Sequence, residues 1–277
     1  MSGLALGVQA AAAPAPEESA SPGLAGSAPQ VYAVASGKGG VGKSILSILL
    51  AAGFARAGKR VLLMDGAFEH GTLHLLLGVR GGRGPVGFLQ SGATPGAPVP
   101  TAAESLWLLP GGHEPTARLD PVEKARLHLR LTRSFNGFDT VIVDAGPGID
   151  GALRAAIHCS RLLTVTIPEP ASLHNAFALI KAVSLRAPHV PVELLINRAT
   201  GEEDAARAGA ILDLACRRFL DLPLPCRGVV AERSSLRRAA RDPGAMPRRL
   251  PSDVKAIVSS LLRDHAAAPA AAGSWFN

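Results

Sequence analysis

The stretch Ala35-Ser36-Gly37-Lys38-Gly39-Gly40-Val41-Gly42-Lys43-Ser44 decides the reading of this chain. It follows the short apolar run Val31-Tyr32-Ala33-Val34 and opens a helical pattern from Ile45 to Ala57, so it is a turn between a strand and a helix. With no Cβ in the way, the glycines at 37, 39, 40 and 42 let successive backbone N–H groups point at one anion. The helix that begins at Gly42–Lys43 adds its positive end. In such a loop the ammonium of Lys43 reaches the β- and γ-phosphates of a nucleotide, and the Ser44 hydroxyl ligates Mg²⁺. The segment is therefore expected to bind a nucleoside triphosphate through Gly37, Lys38, Gly39, Gly40, Val41, Gly42, Lys43 and Ser44.

Downstream segments supply the partners such a loop needs. Phe138-Asp139-Thr140-Val141-Ile142-Val143-Asp144 is an apolar strand ending in an acid, and a carboxylate at that tip can hold Mg²⁺ opposite Ser44. Gly146 and Gly148 follow where the chain would pass the γ-phosphate. Arg60-Val61-Leu62-Leu63-Met64-Asp65 is a second strand ending in an acid, and its context reads as a switch loop with Asp65 as a further metal-shell residue. Asn197-Arg198 closes another strand; an Asn amide offers both a donor and an acceptor, which suits a base edge and equally suits a loop cap. Ile167-Pro168-Glu169-Pro170 ends a strand and starts a helix, where Glu169 reads as a helix N-terminal charge before it reads as a ribose or base contact.

Composition bounds the rest. With 277 residues, 47% of them hydrophobic, the chain can bury one sizeable core, expected over 31–265. Residues 1–30 are Ala/Pro/Gly/Ser-rich and read as a disordered tail, lacking the basic start and apolar block of a signal peptide. Residues 266–277 read as a flexible C-terminal tail. No apolar run approaches the roughly 18 residues that span a bilayer. Cys159, Cys216 and Cys226 are far apart, which argues for a reducing cytoplasm and against zinc or iron–sulfur ligation within one chain. The net charge of +7 comes mostly from arginine, much of it between 233 and 249, and leaves weak contact with DNA or anionic lipid open. With 4% aromatics there is little for bases to stack on, which argues against sequence-specific single-strand binding. The eight histidines share no metal-ligand spacing; His70 and His74 read as a surface pair one turn apart on a helix.

Apolar β-branched runs alternate with helical patterns. Strands are expected at 31–36, 60–65, 106–109, 139–144, 161–167, 191–197 and near 227–230. Helices are expected at 43–57, 121–134, 151–158, 171–186, 203–219, 235–241 and 251–264. The Gly/Pro-rich 78–101 reads as a surface excursion with one short helix at 85–90. Strands apolar on both faces, such as Thr140-Val141-Ile142-Val143, belong in a sheet covered on both sides. The expected class is α/β, a mostly parallel central sheet with helices on both faces and ligands at the carboxyl ends of the strands.

The second lysine of the loop, Lys38, departs from an ordinary phosphate loop and resembles the deviant Walker A motif of the MinD/ParA superfamily of P-loop ATPases. Ser36 to Ser44, Arg60 to Asp65, Leu106-Trp107-Leu108-Leu109-Pro110-Gly111-Gly112, Phe138 to Ile149, Thr166 to Lys181 and Ile196-Asn197-Arg198 extend the resemblance over about 31–265. Pro110-Gly111-Gly112, Asp144-Ala145-Gly146-Pro147-Gly148-Ile149 and the 167–181 segment resemble the flagellar-number regulators, the FlhG-type branch, more than the cell-division proteins.

The resemblance implies a cytoplasmic ATPase that uses ATP and Mg²⁺, dimerises with ATP, and attaches peripherally to the inner face of the cell membrane. It implies a role in flagellar placement and number, with a signal-recognition-type GTPase or flagellar proteins as partners. Lys38, Lys43, Asp65 and Asp144 are the implied catalytic set, with Lys38 reaching the nucleotide of the second subunit. Ser44, Asp65 and Asp144 are the implied metal shell, and Asn197 and Arg198 join the nucleotide contacts.

Three departures accompany it. The GTPase-stimulating N-terminal signature is not recognisable in 1–30. Residues 251–264 carry Val254, Ile257, Val258, Leu261 and Leu262 on one stripe, which reads as core docking and not as a membrane-targeting helix. The switch loop runs Asp65-Gly66-Ala67 where the family has Asp-x-Asp. That leaves, beside a positioning switch, a hydrolysis-deficient scaffold and a DNA-partitioning protein as alternative readings.

Overall fold

The computed structural model describes residues 28–79, 98–112, 120, 122, 127, 131–157, 159–242 and 249–267. Its centre is an eight-stranded sheet in the order β3-β4-β2-β5-β1-β6-β7-β8. The strands are β1 Gln30–Ala35, β2 Val61–Gly66, β3 Val99–Pro100, β4 Leu106–Leu109, β5 Thr140–Ala145, β6 Arg161–Thr166, β7 Val192–Ala199 and β8 Cys226–Ala231. Every pairing is parallel except β3 with β4. Besides helical residues at 131–134, the helices are α1 Lys43–Arg56, α2 Leu73–Leu76, α3 Gly148–Ala156, α4 Pro170–Arg186, α5 Glu202–Leu220, α6 Ser234–Ala239 and α7 Ser252–Ala267 among the described residues.

Each face of the sheet carries its own core. On one, α3, α4 and α5 bury Ala152, Leu179, Ile180, Val183 and Leu212 against Val31, Ala33, Leu62, Val141, Leu162 and Leu194 of the strands. On the other, α1 and α7 bury Leu46, Leu49, Leu50, Phe54, Val254, Ile257 and Leu261. Helix α1 is apolar all round because the sheet covers one side and α7 the other. Gly53 makes that sandwich possible, since a Cβ there would stand 2.7 Å from Val258 Cγ2. The stripe read at 251–264 is thus a core face, with Val254, Ile257, Val258 and Leu261 all buried. Each such side chain contributes about 1.5–3 kcal/mol on burial.

A charged knot fastens α7 at the amino ends of the strands. Glu193 on β7 is 3% exposed and accepts from Arg161 and from Arg227 Nε at 2.8 Å. Asp264 of α7 joins Arg227 at 2.7 Å.

All seven expected strands are present, with ends moved by one or two residues. The structure corrects several local readings. The 78–101 stretch is not wholly an excursion, because Val99–Pro100 pairs with β4 at the sheet edge, where Pro100 breaks no inner ladder. The helix expected at 85–90 lies outside the described residues, and of 121–134 the stretch 131–134 is described as helical. Helix α7 continues to Ala267, past the expected start of the tail at 266. His70 is in the turn ahead of α2 while His74 is inside it, so they do not share a helix. Among the described residues no helix is long and apolar enough to cross a membrane.

Candidate functional site

The sheet order places β1 between β5 and β6, so the loop after β1 leaves the sheet where the connections diverge, the usual ligand crevice of such folds. Gly40 and Gly42 both have positive φ, 79° and 88°. Gly42 has a second reason to lack a side chain, because a Cβ would lie 2.4 Å from Asn197 Nδ2. The loop then passes into α1 with no side-chain cap on its first turn, leaving the helix's N-terminal N–H groups to the loop's own concave side.

Three donors converge on Asp144 at the tip of β5. Lys43 Nζ donates to its Oδ1 at 2.7 Å and to the Ala145 carbonyl at 2.5 Å. Ser44 Oγ donates to Oδ2 at 2.7 Å. Ser47 Oγ donates to Oδ1 at 2.9 Å and to the Lys43 carbonyl at 3.1 Å. An ammonium and two hydroxyls thereby balance a carboxylate that is only 3% exposed. Ser47 is absent from the sequence reading. It is one turn after Lys43 on α1 and so shares that residue's face, but a serine at that spacing is no signal until the helix is packed against β5.

Asp65, opposite Asp144 in the β2–β5 register, is 1% exposed. Its Oδ1 accepts from the Ala67 N–H at 3.0 Å, and its Oδ2 from those of Thr72 at 2.8 Å and Leu73 at 3.0 Å. Burial pushes its pKa above the ordinary carboxylate value, the nearby Asp144 charge adds to that, and the three N–H groups pull the other way. In this arrangement Asp65 ties the switch loop to the start of α2. The expected metal-shell role would require it to exchange some of those bonds.

Asn197 is also a brace here. It is 5% exposed, and its Nδ2 donates to the Val41 carbonyl at 2.7 Å, fixing the phosphate loop against β7. Arg198, at φ 57°, turns its guanidinium to Glu232, with Nε 2.8 Å from Oε2. These two residues border a cavity of about 220 Å³ walled by Gly42, Ile45, Glu232 and Leu236. Arg237 Nε stands 2.8 Å from Glu232 Oε1 but out of line for a hydrogen bond. Lys38 lies apart from this set, on the exposed rim, with Nζ 3.0 Å from Glu169 Oε2. Glu169 precedes the first turn of α4 without capping it through its side chain.

A row of loop N–H groups, an ammonium, hydroxyls and a carboxylate form a donor set that fits a metal–triphosphate. Lys43 and Ser44 would hold the phosphates and the metal, Asp144 the metal's waters. The metal would supply charge neutralisation across the transferred phosphoryl group.

Comparison with known proteins follows the geometry. Residues 27–191 match the ParA family, described as an iron-transfer P-loop NTPase of the NUBPL kind. The antiactivator FleN of Pseudomonas aeruginosa is 28% identical over 215 residues, covering 76% of this chain and 77% of that protein. The flagellum site-determining protein YlxH of Helicobacter pylori is 26% identical over 226 residues, covering 80% and 76%. Among solved structures, the septum site-determining protein MinD of Pyrococcus horikoshii, complexed with Mg-ADP, superposes with a TM-score of 0.66 at 19% identity, covering 88% of this chain and 99% of that one. At that identity the superposition speaks for the fold alone.

Proposed function

The chain belongs to the ParA/MinD family of P-loop NTPases, and from that premise we propose that it is an ATP-dependent dimerisation switch that positions or counts a cellular structure, the flagellum first among them. The observation that carries the reading is the convergence of Lys43, Ser44 and Ser47 on buried Asp144 directly beneath a glycine loop. ATP with Mg²⁺ is the proposed ligand, consistent with the Mg-ADP of the Pyrococcus relative. Lys43 holds the phosphates, Ser44 and Asp144 the metal, and Asp65 holds the switch loop in register next to them. Asn197 and Arg198 fix the wall on the base side.

Lys38 is the proposed dimer residue. Its side chain is 38% exposed and, among the described residues, its ammonium makes one surface ion pair, so it can leave Glu169 for a partner's phosphate at little cost. The flagellar role rests on the names of the FleN and YlxH relatives, and peripheral membrane attachment on the family likeness. A folded domain over 31–265 is part of the same reading.

A second reading is favoured by one residue. Ala67 stands where the family has a second switch aspartate, so the protein would hold ATP and hydrolyse it slowly. Steady-state ATPase together with light scattering in ADP, ATP and a slow analogue tests both. A monomer in all three states removes the switch. A dimer with brisk turnover removes the slow-hydrolysis reading.

A further inference from the structure

Arg154 of α3 is a cation without a counterion. Among the described residues its guanidinium makes no hydrogen bond and no ion pair. The acids on the switch loop, at the tip of β5 and on α3 do not claim it. Asp144 is taken by Lys43, Ser44 and Ser47, and Asp65 by three backbone N–H groups. Glu69 is engaged elsewhere. Asp150 is one turn before Arg154, the spacing at which such pairs form, yet the two do not meet. Asp150 has its own reason to be there, as an acid in the first turn of α3.

The guanidinium goes instead to the loop that follows β5. Long side chains on a helix point back toward its amino end, and two glycines clear the way. A Cβ at Gly151 would stand 2.1 Å from the Gly146 carbonyl oxygen, so the loop is folded flat against the first turn of α3. A Cβ at Gly146 would stand 3.4 Å from Arg154 Nη2 and 3.1 Å from the Gly66 carbonyl oxygen. Arg154 therefore covers the place where the loops after β2 and β5 touch. One residue earlier, Lys43 Nζ donates to the Ala145 carbonyl at 2.5 Å. Two cations thus approach consecutive residues of one loop, and of the two only Lys43 has a carboxylate.

We propose that Arg154 binds the terminal phosphate of the nucleotide held by its own subunit, and so distinguishes ATP from ADP. This assignment rests on the phosphate-loop reading, in which the chain passes the γ-phosphate at Gly146. A phosphate arriving there supplies the negative charge that Arg154 lacks, and the guanidinium fork matches two phosphate oxygens at once. Because Arg154 is exposed and unbonded, its long side chain can swing onto the ligand without breaking a contact. ADP ends one phosphate short and leaves the guanidinium unpaired. Arg154 supplies no base in place of the acid missing at Ala67; its effect is on which nucleotide is held.

The test is calorimetry on the full chain with Mg-ADP and with the magnesium complex of a non-hydrolysable ATP analogue, at protein concentrations where light scattering shows a monomer. Arg154→Ala and Arg154→Gln are both expected to weaken the analogue at least about tenfold and to leave ADP affinity unchanged. Arg154→Lys keeps the charge without the fork and is expected to recover part of the loss. The denaturant midpoint without nucleotide should not move, since the guanidinium has no bond to lose. Equal weakening of both nucleotides, or of neither, would overturn the assignment of Arg154 and leave the phosphate loop standing. So would a loss seen only at concentrations where a dimer forms, which would turn the guanidinium toward a second subunit. If the unsubstituted protein bound neither nucleotide, the phosphate-loop reading would fall, and this proposal with it.

Discussion

Lys38 and Glu169 form an ion pair at 3.0 Å within one chain, across 131 residues of sequence, at the rim of the phosphate loop. Their side chains are 38% and 53% exposed, and pairs so placed contribute about 0–1 kcal/mol. The pair holds Lys38 at the edge of the site without locking it there. Lys38→Ala is therefore expected to leave the unfolding midpoint almost unmoved and monomer ATP affinity within a few-fold. If Lys38 serves a phosphate of a second subunit, as proposed, the same change should weaken ATP-dependent dimerisation in light scattering. A dimer of undiminished affinity in this variant would show that Lys38 does not cross the interface.

Lys43 is the opposite case. Its ammonium is bound to buried Asp144 and to the Ala145 carbonyl, so Lys43→Ala removes both the phosphate contact and the countercharge of a carboxylate. Calorimetry should find no ATP binding, since each lost charge-assisted hydrogen bond is worth about 1.5–3 kcal/mol. Denaturant unfolding should show a loss as well, softened because Ser44 and Ser47 still serve Asp144. Retained ATP affinity would remove the phosphate-loop assignment.

Ala67 predicts slow turnover. A methyl group can neither hydrogen-bond nor accept a proton from an attacking water, and a positioned base typically contributes about 10²–10⁴-fold in rate. Ala67→Asp should raise steady-state ATPase at least about tenfold without tightening ATP binding. Equal rates in the two proteins would mean that residue 67 is not beside the reacting water.

Asp65 carries a pH prediction. Its carboxyl is raised from 3.8, chiefly by burial, with Asp144 adding to the rise. The folded protein therefore holds this proton at pH values where the unfolded chain has released it. The contribution of Asp65 to stability is greatest below 3.8 and falls as pH rises through the window up to its folded pKa, then stays level. Carboxyl-carbon NMR should show Asp65 titrating above the ordinary range. Titration at or below 3.8 would show that the three N–H bonds outweigh burial.

The knot around Glu193 should be costly to break. With Glu193→Gln, Arg161 and Arg227 lose the carboxylate between them in a largely buried setting. Removal of one partner from a buried pair typically costs about 3–5 kcal/mol, read as a lowered denaturant midpoint with ATP affinity unchanged. A midpoint shift no larger than a surface substitution gives would show that Asp264 of α7 is countercharge enough for both arginines.

Most of the fold and much of the site were legible in the chain itself, because both depend on short-range pattern. Alternation of apolar runs with helical spacing located the seven main strands, and Gly37 to Ser44 between a strand and a helix announced an anion site whose donors are consecutive in sequence. The Asp144 tip was legible for the same reason, as an acid ending an apolar strand. What only the tertiary structure decided was the assignment of polar groups to partners distant along the chain. Asn197 suited a base edge and a loop cap equally, and only the packed sheet shows its Nδ2 donating to Val41 O, because β7 ends beside the loop. Asp65 was legible as an acid ending a strand, but that three N–H groups after it donate to its carboxylate is seen only in the folded chain. Ser47 carried no signal of its own until α1 was laid against β5. Residue spacing fixes which face a side chain takes, but only the packed sheet determines which buried donor and acceptor must satisfy each other, since there no water is left to do it.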